Sequence, residues 1–215
     1  MKKARVLMLG LALGLASTQA HALVDVSGFG GYATVSMKDV NSAMDNAGGT
    51  DTHISSGYYV GADAGITLLP FLKVGPRIEY LQPQEGSVTA IFGNATIDTK
   101  LMMYDLGVSV DTGLPLTGLS IQGGIWGGYG VSTEVIHQGS ISADGAGTAF
   151  VGEIAAQLRY KLGAGLSVGV DLGYLMANVT TVNGANGQAL ITNNGSAVGF
   201  DFSGLHAGGA LSWGF

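Results

Sequence analysis

The stretch "AFVGEIAAQLRYKL", residues 149–162, carries the reading of the fold. Its even positions are Phe150, Gly152, Ile154, Ala156, Leu158, Tyr160 and Leu162. Its odd positions are Ala149, Val151, Glu153, Ala155, Gln157, Arg159 and Lys161. One face is apolar and the other carries three charges. Period two belongs to a strand, because successive side chains point to opposite faces of a sheet.

The same split recurs along the chain. In "LKVGPRIEY" (72–80), Leu72, Val74, Ile78 and Tyr80 oppose Lys73, Arg77 and Glu79. In "MMYDLGVSVD" (102–111), Tyr104, Leu106 and Val108 oppose Met103, Asp105 and Ser109. "YYVGADAGITL" (58–68), "LSIQGGIWGGYGV" (119–131) and "LSVGVDLGY" (166–174) divide likewise, setting Tyr59, Asp63, Gln122, Trp126 and Asp171 on the polar phase. Residues 27–37 alternate more weakly, with Phe29, Ala33, Val35 and Met37 as the apolar phase. Residues 203–215 place Leu205, Ala207, Leu211, Trp213 and Phe215 on one face. That makes eight strands.

The connections alternate in length. Residues 68–71, 111–118 and 162–165 are short turns with Pro or Gly. Residues 38–53, 84–98, 136–147 and 180–197 are long and rich in Asn, Asp, Gly, Ser and Thr. All short turns therefore fall at one end and all long loops at the other. An eight-stranded antiparallel up-and-down β-barrel has this layout.

Aromatic placement sets which face looks outward. Tyr58, Tyr80, Tyr104, Tyr129, Phe150 and Tyr174 sit on the apolar phase near the long loops. Phe71, Tyr160, Trp213 and Phe215 mark the opposite end. Phe150 and Tyr160 are ten residues apart on one face. At ~3.3 Å per residue and a ~40° tilt this is about 25 Å, the height of the apolar band of a transmembrane barrel. The apolar phase is thus expected to face lipid, with two aromatic girdles.

Composition agrees. The 215 residues include 37 glycines and no cysteine. Of them 47% are hydrophobic and only 11% charged. Disorder needs low hydrophobicity and high charge, so the chain is ordered but poor in surface charge. The start, "MKKARVLMLGLALGLASTQAHA", has a basic n-region, an apolar h-region and Ala20-His21-Ala22 before a cleavage point. This reads as a secretory signal peptide over residues 1–22, leaving a barrel domain over 23–215. Its removal leaves six basic against fifteen acidic residues, a net charge of −9. That excludes nucleic acid as a partner.

The sequence ends "LHAGGALSWGF" (205–215), on an aromatic strand with Phe215 last. With the eight period-two segments, this resembles the small eight-stranded outer-membrane β-barrels of Gram-negative bacteria, the OmpA/OmpX-like group. The resemblance implies integral outer-membrane localisation with both termini periplasmic. It also implies contact with outer-membrane lipid and lipopolysaccharide, and a monomer. Leu211, Trp213 and Phe215 would be the assembly signal read by the barrel-assembly machinery.

The expected inward set is Asp63, Lys73, Arg77, Glu79, Asp105, Glu153, Arg159, Lys161, Asp171 and His206. Charges facing a narrow lumen must pair, so these should form an interior network. Four permanent cations stand against five acids, near balance, which favours mutual neutralisation over an ion-selective ring. Tyr59, Met103, Trp126 and Arg159 are large enough to fill the space. Open porin channels use 16–18 strands. The reading is a non-enzymatic barrel with a structural or surface-interaction role. A narrow pore for small solutes or ions is the alternative.

A lipid A-modifying enzyme is the remaining class. His53-Ile54-Ser55 has a hydrolase-like spacing, but no matching acid is identifiable. His206 reads as a network member, and His137 lies in a long loop. Asn94-Ala95-Thr96, Asn178-Val179-Thr180 and Asn194-Gly195-Ser196 match the glycosylation sequon, which is idle in a bacterial outer membrane. "GFGGYA" lacks the helix a dinucleotide site requires. The loop acids Asp39, Asp45, Asp51, Glu85, Asp98 and Asp144 have no metal-ligand spacing. No metal and no cofactor are expected.

Overall fold

The computed structural model describes residues 23–46, 50–90, 93–114, 117–138, 141–189 and 197–215. The leader, residues 1–22, and the sequon at 194–196 lie outside them. Eight long strands close into a ring. In chain order they are β1 (Val24–Thr34), β3 (Ser56–Leu69), β4 (Leu72–Pro83), β6 (Gly93–Gly113), β7 (Leu119–Gln138), β8 (Ile141–Gly163), β9 (Leu166–Val179) and β12 (Gly204–Gly214). Each pairs antiparallel with the next, and β12 returns to β1.

Closure accounts for the aromatic chain end. Asp25 pairs with Gly214 and Val26 with Trp213. Val24 and Phe215 exchange both backbone hydrogen bonds, at 3.1 and 3.0 Å. The last backbone groups are satisfied in the ladder, so the terminus does not fray. The short turn between β8 and β9 uses Gly163 and Gly165, both at positive φ (117° and 80°). A side chain on Gly165 would strike the Gly214 carbonyl and the Trp213 indole.

Tyr104, Leu106 and Val108 point outward and are exposed, as are Ile154, Leu158 and Tyr160 on β8. The long-loop belt is continuous in register. Tyr32 lies opposite Tyr58, Val60 opposite Tyr80, Ile78 opposite Tyr104, Tyr104 opposite Tyr129, and Tyr129 opposite Phe150. Tyr174 sits lower, opposite Ile154. Phe71, Tyr160, Trp213 and Phe215 are exposed at the short-turn end, and Tyr80 is half-buried.

Strand β1 departs from expectation. Phe29, Ala33, Val35 and Met37 are buried inside, while Val26 and Tyr32 are exposed. A one-residue change of phase moves every side chain to the other face. Pairing sets that phase here: Tyr32 must lie beside Tyr58, and Phe29 beside Gly61, whose missing side chain leaves room for the Phe29 ring.

The long connections are also more ordered than their composition indicated. Residues 84–98 include β5 (Gly86–Ala90) and the start of β6, and residues 136–147 are largely the ends of β7 and β8. Thr96, Ile97, Thr99, Thr133, Val135 and Ile136 extend the β6–β7 ladder and satisfy their backbone through it. From Tyr104 to Gly93 the wall rises about 28 Å above the girdle, at ~3.3 Å per residue and a ~40° tilt. Residues 38–53 hold helix α1 (Lys38–Asn46) and β2 (Thr50–Thr52), which pairs with β5. Residues 180–197 include β10 (Val182–Gly184), paired with β8. The short strand β11 (Phe200–Asp201) pairs with the end of β9.

Candidate functional site in the barrel lumen

The interior has two storeys. The storey toward the short turns is polar, because inward positions of the strands alternate with the outward apolar ones. Lys73 Nζ lies 2.9 Å from Asp111 Oδ2 and 3.5 Å from Asp25 Oδ2. Arg159 reaches Asp25 Oδ1 at 3.1 Å, donates to Ser27 Oγ at 2.9 Å, and holds Gln157 Oε1 with two of its N–H groups. Gln157 donates to Asp171 Oδ1 at 2.9 Å, and the Tyr59 hydroxyl donates to Asp171 Oδ2 at 2.9 Å.

The next layer centres on Arg77. Its Nε donates to Glu79, and its NH2 lies 2.9 Å from Glu153 Oε1, off the hydrogen-bond direction. Its guanidinium carbon sits 4.1 Å from the centroid of Phe29 and 4.6 Å from that of Trp126. A delocalised cation between two rings gains cation–π attraction in a desolvated site. His206 Nε2 lies 3.4 Å from both Glu153 and Asp171, with its ring 4.6 Å from Tyr59.

Nine of the ten residues expected inside are buried there: Asp63, Lys73, Arg77, Glu79, Asp105, Glu153, Arg159, Asp171 and His206. Lys161 is a correction. It pairs with Ser167 as the last residue before the β8–β9 register shifts, is exposed at the short-turn end, and lines the lumen mouth. Asp25 and Ser27 belong to the site although the expected phase of β1 turned them away from it. Asp63 and Asp105 flank Arg77 in register on either side, yet Arg77 turns from both toward Glu79 and Glu153.

The upper storey is apolar. Tyr59, Leu81, Leu101, Met103, Val151, Leu175, Ala177 and Val179 point inward from the wall. Val40 and Met44, four apart on one face of α1, join them with Ile54, Phe200 and Phe202. The helix thus acts as a plug. Asn41 fastens it by two side-chain bonds to Ile54, both 2.9 Å. His53 Nε2 meets Asp45 Oδ1 at 2.8 Å, so an acid does stand beside His53, supplied by the helix. This exposed pair ties α1 to the adjoining segment.

Within the raised wall, Thr99, Ser132 and Glu134 point inward and are buried. Thr99 lies directly opposite Glu134. Neither Glu134 oxygen has an aligned hydrogen-bond partner. Burial pushes its carboxyl up to about 7, with Ser132 pulling weakly the other way.

Two spaces lie in the polar storey. A vestibule of about 480 Å³ opens at the short-turn end, lined by Asp25, Lys73, Asp111, Arg159, Lys161 and Phe215 among others. Above it, a void of about 10 Å³ lies between Asp25, Asp63, Ser109, Gln122 and Trp126. No cluster of three or more metal-ligating side chains occurs among the described residues.

Comparison with protein-family models and with curated proteins finds no match. Among solved structures, the outer membrane protein OprG from Pseudomonas aeruginosa is similar at 15% identity and a TM-score of 0.53. The match covers 91% of this chain and 97% of that one. Neisserial surface protein A is similar at 13% identity and a TM-score of 0.50, covering 92% of this chain and 100% of that one. The ring of eight antiparallel strands with its apolar outer face therefore has the fold of the small eight-stranded outer-membrane β-barrels.

Proposed function

We propose that the protein is an integral outer-membrane barrel with a closed lumen and a structural or surface-interaction role. Both termini and the short turns face the periplasm, and the raised rim and α1 face outward. The outer wall contacts membrane lipid and lipopolysaccharide. The strand ending in Phe215 is what the barrel-assembly machinery engages, and the barrel acts as a monomer. The observation that carries this reading is the filled lumen: Arg77 wedged between Phe29 and Trp126, under an apolar plug. Rigid scaffolds commonly carry their function on the elements that project from them.

The narrow pore remains the second reading, favoured by the vestibule, which supplies the lower part of a path. Single-channel recording in a planar bilayer separates the two. The closed barrel shows no steady conductance. Steady conductance whose ion selectivity shifts in Arg77→Gln or Glu79→Gln establishes the pore instead.

A further inference from the structure

The outer wall of the barrel has a recess on one side. Gly123 on β7 lies opposite Ala156 on β8, Ala156 opposite Leu172 on β9, and Leu172 opposite Ala207 on β12. Three of these four outward residues carry no more than a methyl group. On the side toward the long loops Ile154, Tyr174 and Leu205 project from the next outward row, and Tyr32 stands beside Ala207. Together they border an open groove of about 1000 Å³ with an almost wholly apolar lining. The same row is padded further round, where Val110 faces Gly123 and Leu72 faces Val110.

The recess continues toward the short turns. Gly209 follows Ala207 on the outward phase of β12, with Gly30 opposite it and Gly28 next on β1. A Cβ on Gly123, Gly209 or Gly28 would meet nothing within 4 Å, and none of the three has a positive φ. Neither close packing nor a turn demands glycine at these places. Their effect is to leave space on the outer face.

What fills that space follows from its level. It lies between the long-loop girdle and the Trp213 and Phe215 rings at the opposite rim, within the band that meets hydrocarbon. Two convex barrels would touch through projecting side chains such as Tyr32, Tyr174 and Leu205 and leave the floor between them empty. A flexible chain can lie along the floor. Inside a bilayer the hydrophobic effect does not favour one chain over its neighbours, so the preference comes from dispersion contacts with a shaped surface. At the long-loop end the Tyr32 and Tyr58 hydroxyls meet at 3.4 Å, and Ser56 lines the groove. Hydroxyls there match the ester and amide groups that join acyl chains to a headgroup.

We infer that the groove binds one acyl chain of a lipopolysaccharide molecule, running from the Tyr32–Tyr58 pair over Ala207 toward Gly209 and Gly28. The choice of lipopolysaccharide over phospholipid rests on the outward orientation proposed above, which sets the hydroxyl end in the outer leaflet.

The test adds lipid A, or phosphatidylethanolamine in parallel, to the folded barrel purified in detergent. Native mass spectrometry then counts the lipids retained as detergent is stripped away. One lipid A should stay bound. Gly123→Leu combined with Ala207→Leu fills the floor, and losing roughly ten carbon–carbon contacts should weaken retention about tenfold. Ile78→Leu, elsewhere on the outer wall, should leave retention unchanged. The heat-dependent gel shift verifies folding, and Ala156→Leu replaces the double variant should that one not fold. No retained lipid A, retention indifferent to the filled floor, or equal retention of phosphatidylethanolamine overturns the proposal. So does a dimer that the same substitutions dissociate. Labelling of single cysteines on either side of the membrane reads the orientation separately, so a lost site and an inverted barrel give different results.

Discussion

The Arg77 guanidinium lies 4.1 Å over the ring of Phe29, a residue whose strand phase is set only by pairing with its neighbours. The contact joins the closing strand β1 to β4 across the lumen. It places a permanent cation where Glu79 and Glu153 need one. Replacing Arg77 by Met keeps the bulk and removes the charge. Because two buried carboxylates are then left without it, the barrel should lose about 3–5 kcal/mol. A fall in the urea midpoint, read from the boiling-dependent gel shift, checks this. An unchanged midpoint means Glu79 and Glu153 do not depend on Arg77.

Glu134 lies five residues beyond the Tyr129 girdle, outside the membrane-level wall. Its folded pKa is raised from 4.5 to about 7 by burial. The stability it allows is fully present below pH 4.5 and is lost as pH rises through 7. The loss is of the order of 3 kcal/mol. Glu134→Gln should remove that part of the decline. Urea midpoints of both proteins at pH 4.5 and pH 8 measure it. Parallel declines in the two would show that Glu134 is not the responsible group.

Met44 anchors the plug helix in the upper storey, beside Ile54 and Gly86. Met44→Asp puts a charge into that apolar core and should undock α1. Its segment should then be cut by protease in intact folded barrels while the heat-dependent gel shift persists. Resistance equal to wild type would argue that α1 is held by other contacts, such as those of Asn41.

Phe215 closes the ladder with Val24 and exposes its ring at the short-turn rim. Deleting it should lower the yield of membrane-inserted barrel and leave chain in the periplasm. Fractionation followed by blotting reads both quantities. Undiminished insertion would remove Phe215 from the assembly signal.

The absence of native cysteine makes topology easy to probe. Asp144→Cys, on the raised rim, should react with a membrane-impermeant maleimide in intact cells. Ala164→Cys, in the β8–β9 turn, should react only after lysis. The reverse pattern inverts the orientation proposed above.

Much of the barrel was legible because lipid and lumen impose opposite demands on alternate residues. On β8, Phe150, Ile154, Leu158 and Tyr160 could only face apolar surroundings, while Glu153 and Arg159 could only face a polar interior. Their period-two order therefore revealed strand, face and girdle together. The candidate site was legible for the same reason wherever a charge interrupted an apolar alternation. It failed at Lys161, which keeps the inward phase but lies at the last regular pair of β8, where the lumen opens and the side chain is exposed. It also failed in the raised wall, where Thr, Asn and Gly look like loop until a neighbouring strand takes up their backbone groups.

What the sequence by itself determined, then, is the eight-stranded plan, its outward face and most of its buried charges, since each follows from local alternation. Tertiary structure alone decided the phase of β1, the plug and the partners within the lumen. From Gly28 to Ala33 strand β1 is apolar or small on both phases, so closure against β3 and β12 chose between them there, while Asp25 and Ser27 on the buried phase were the polar signal the alternation left unread. The helix "KDVNSAMDN" has weak intrinsic propensity, and it forms because Val40 and Met44 find an apolar core built by distant strands. Arg77 lies between Asp63 and Asp105 in the ladder but pairs with Glu79 and Glu153. That choice depends on where Phe29 and Trp126 close around the guanidinium, which residues far apart in the chain fix only once the ring is complete.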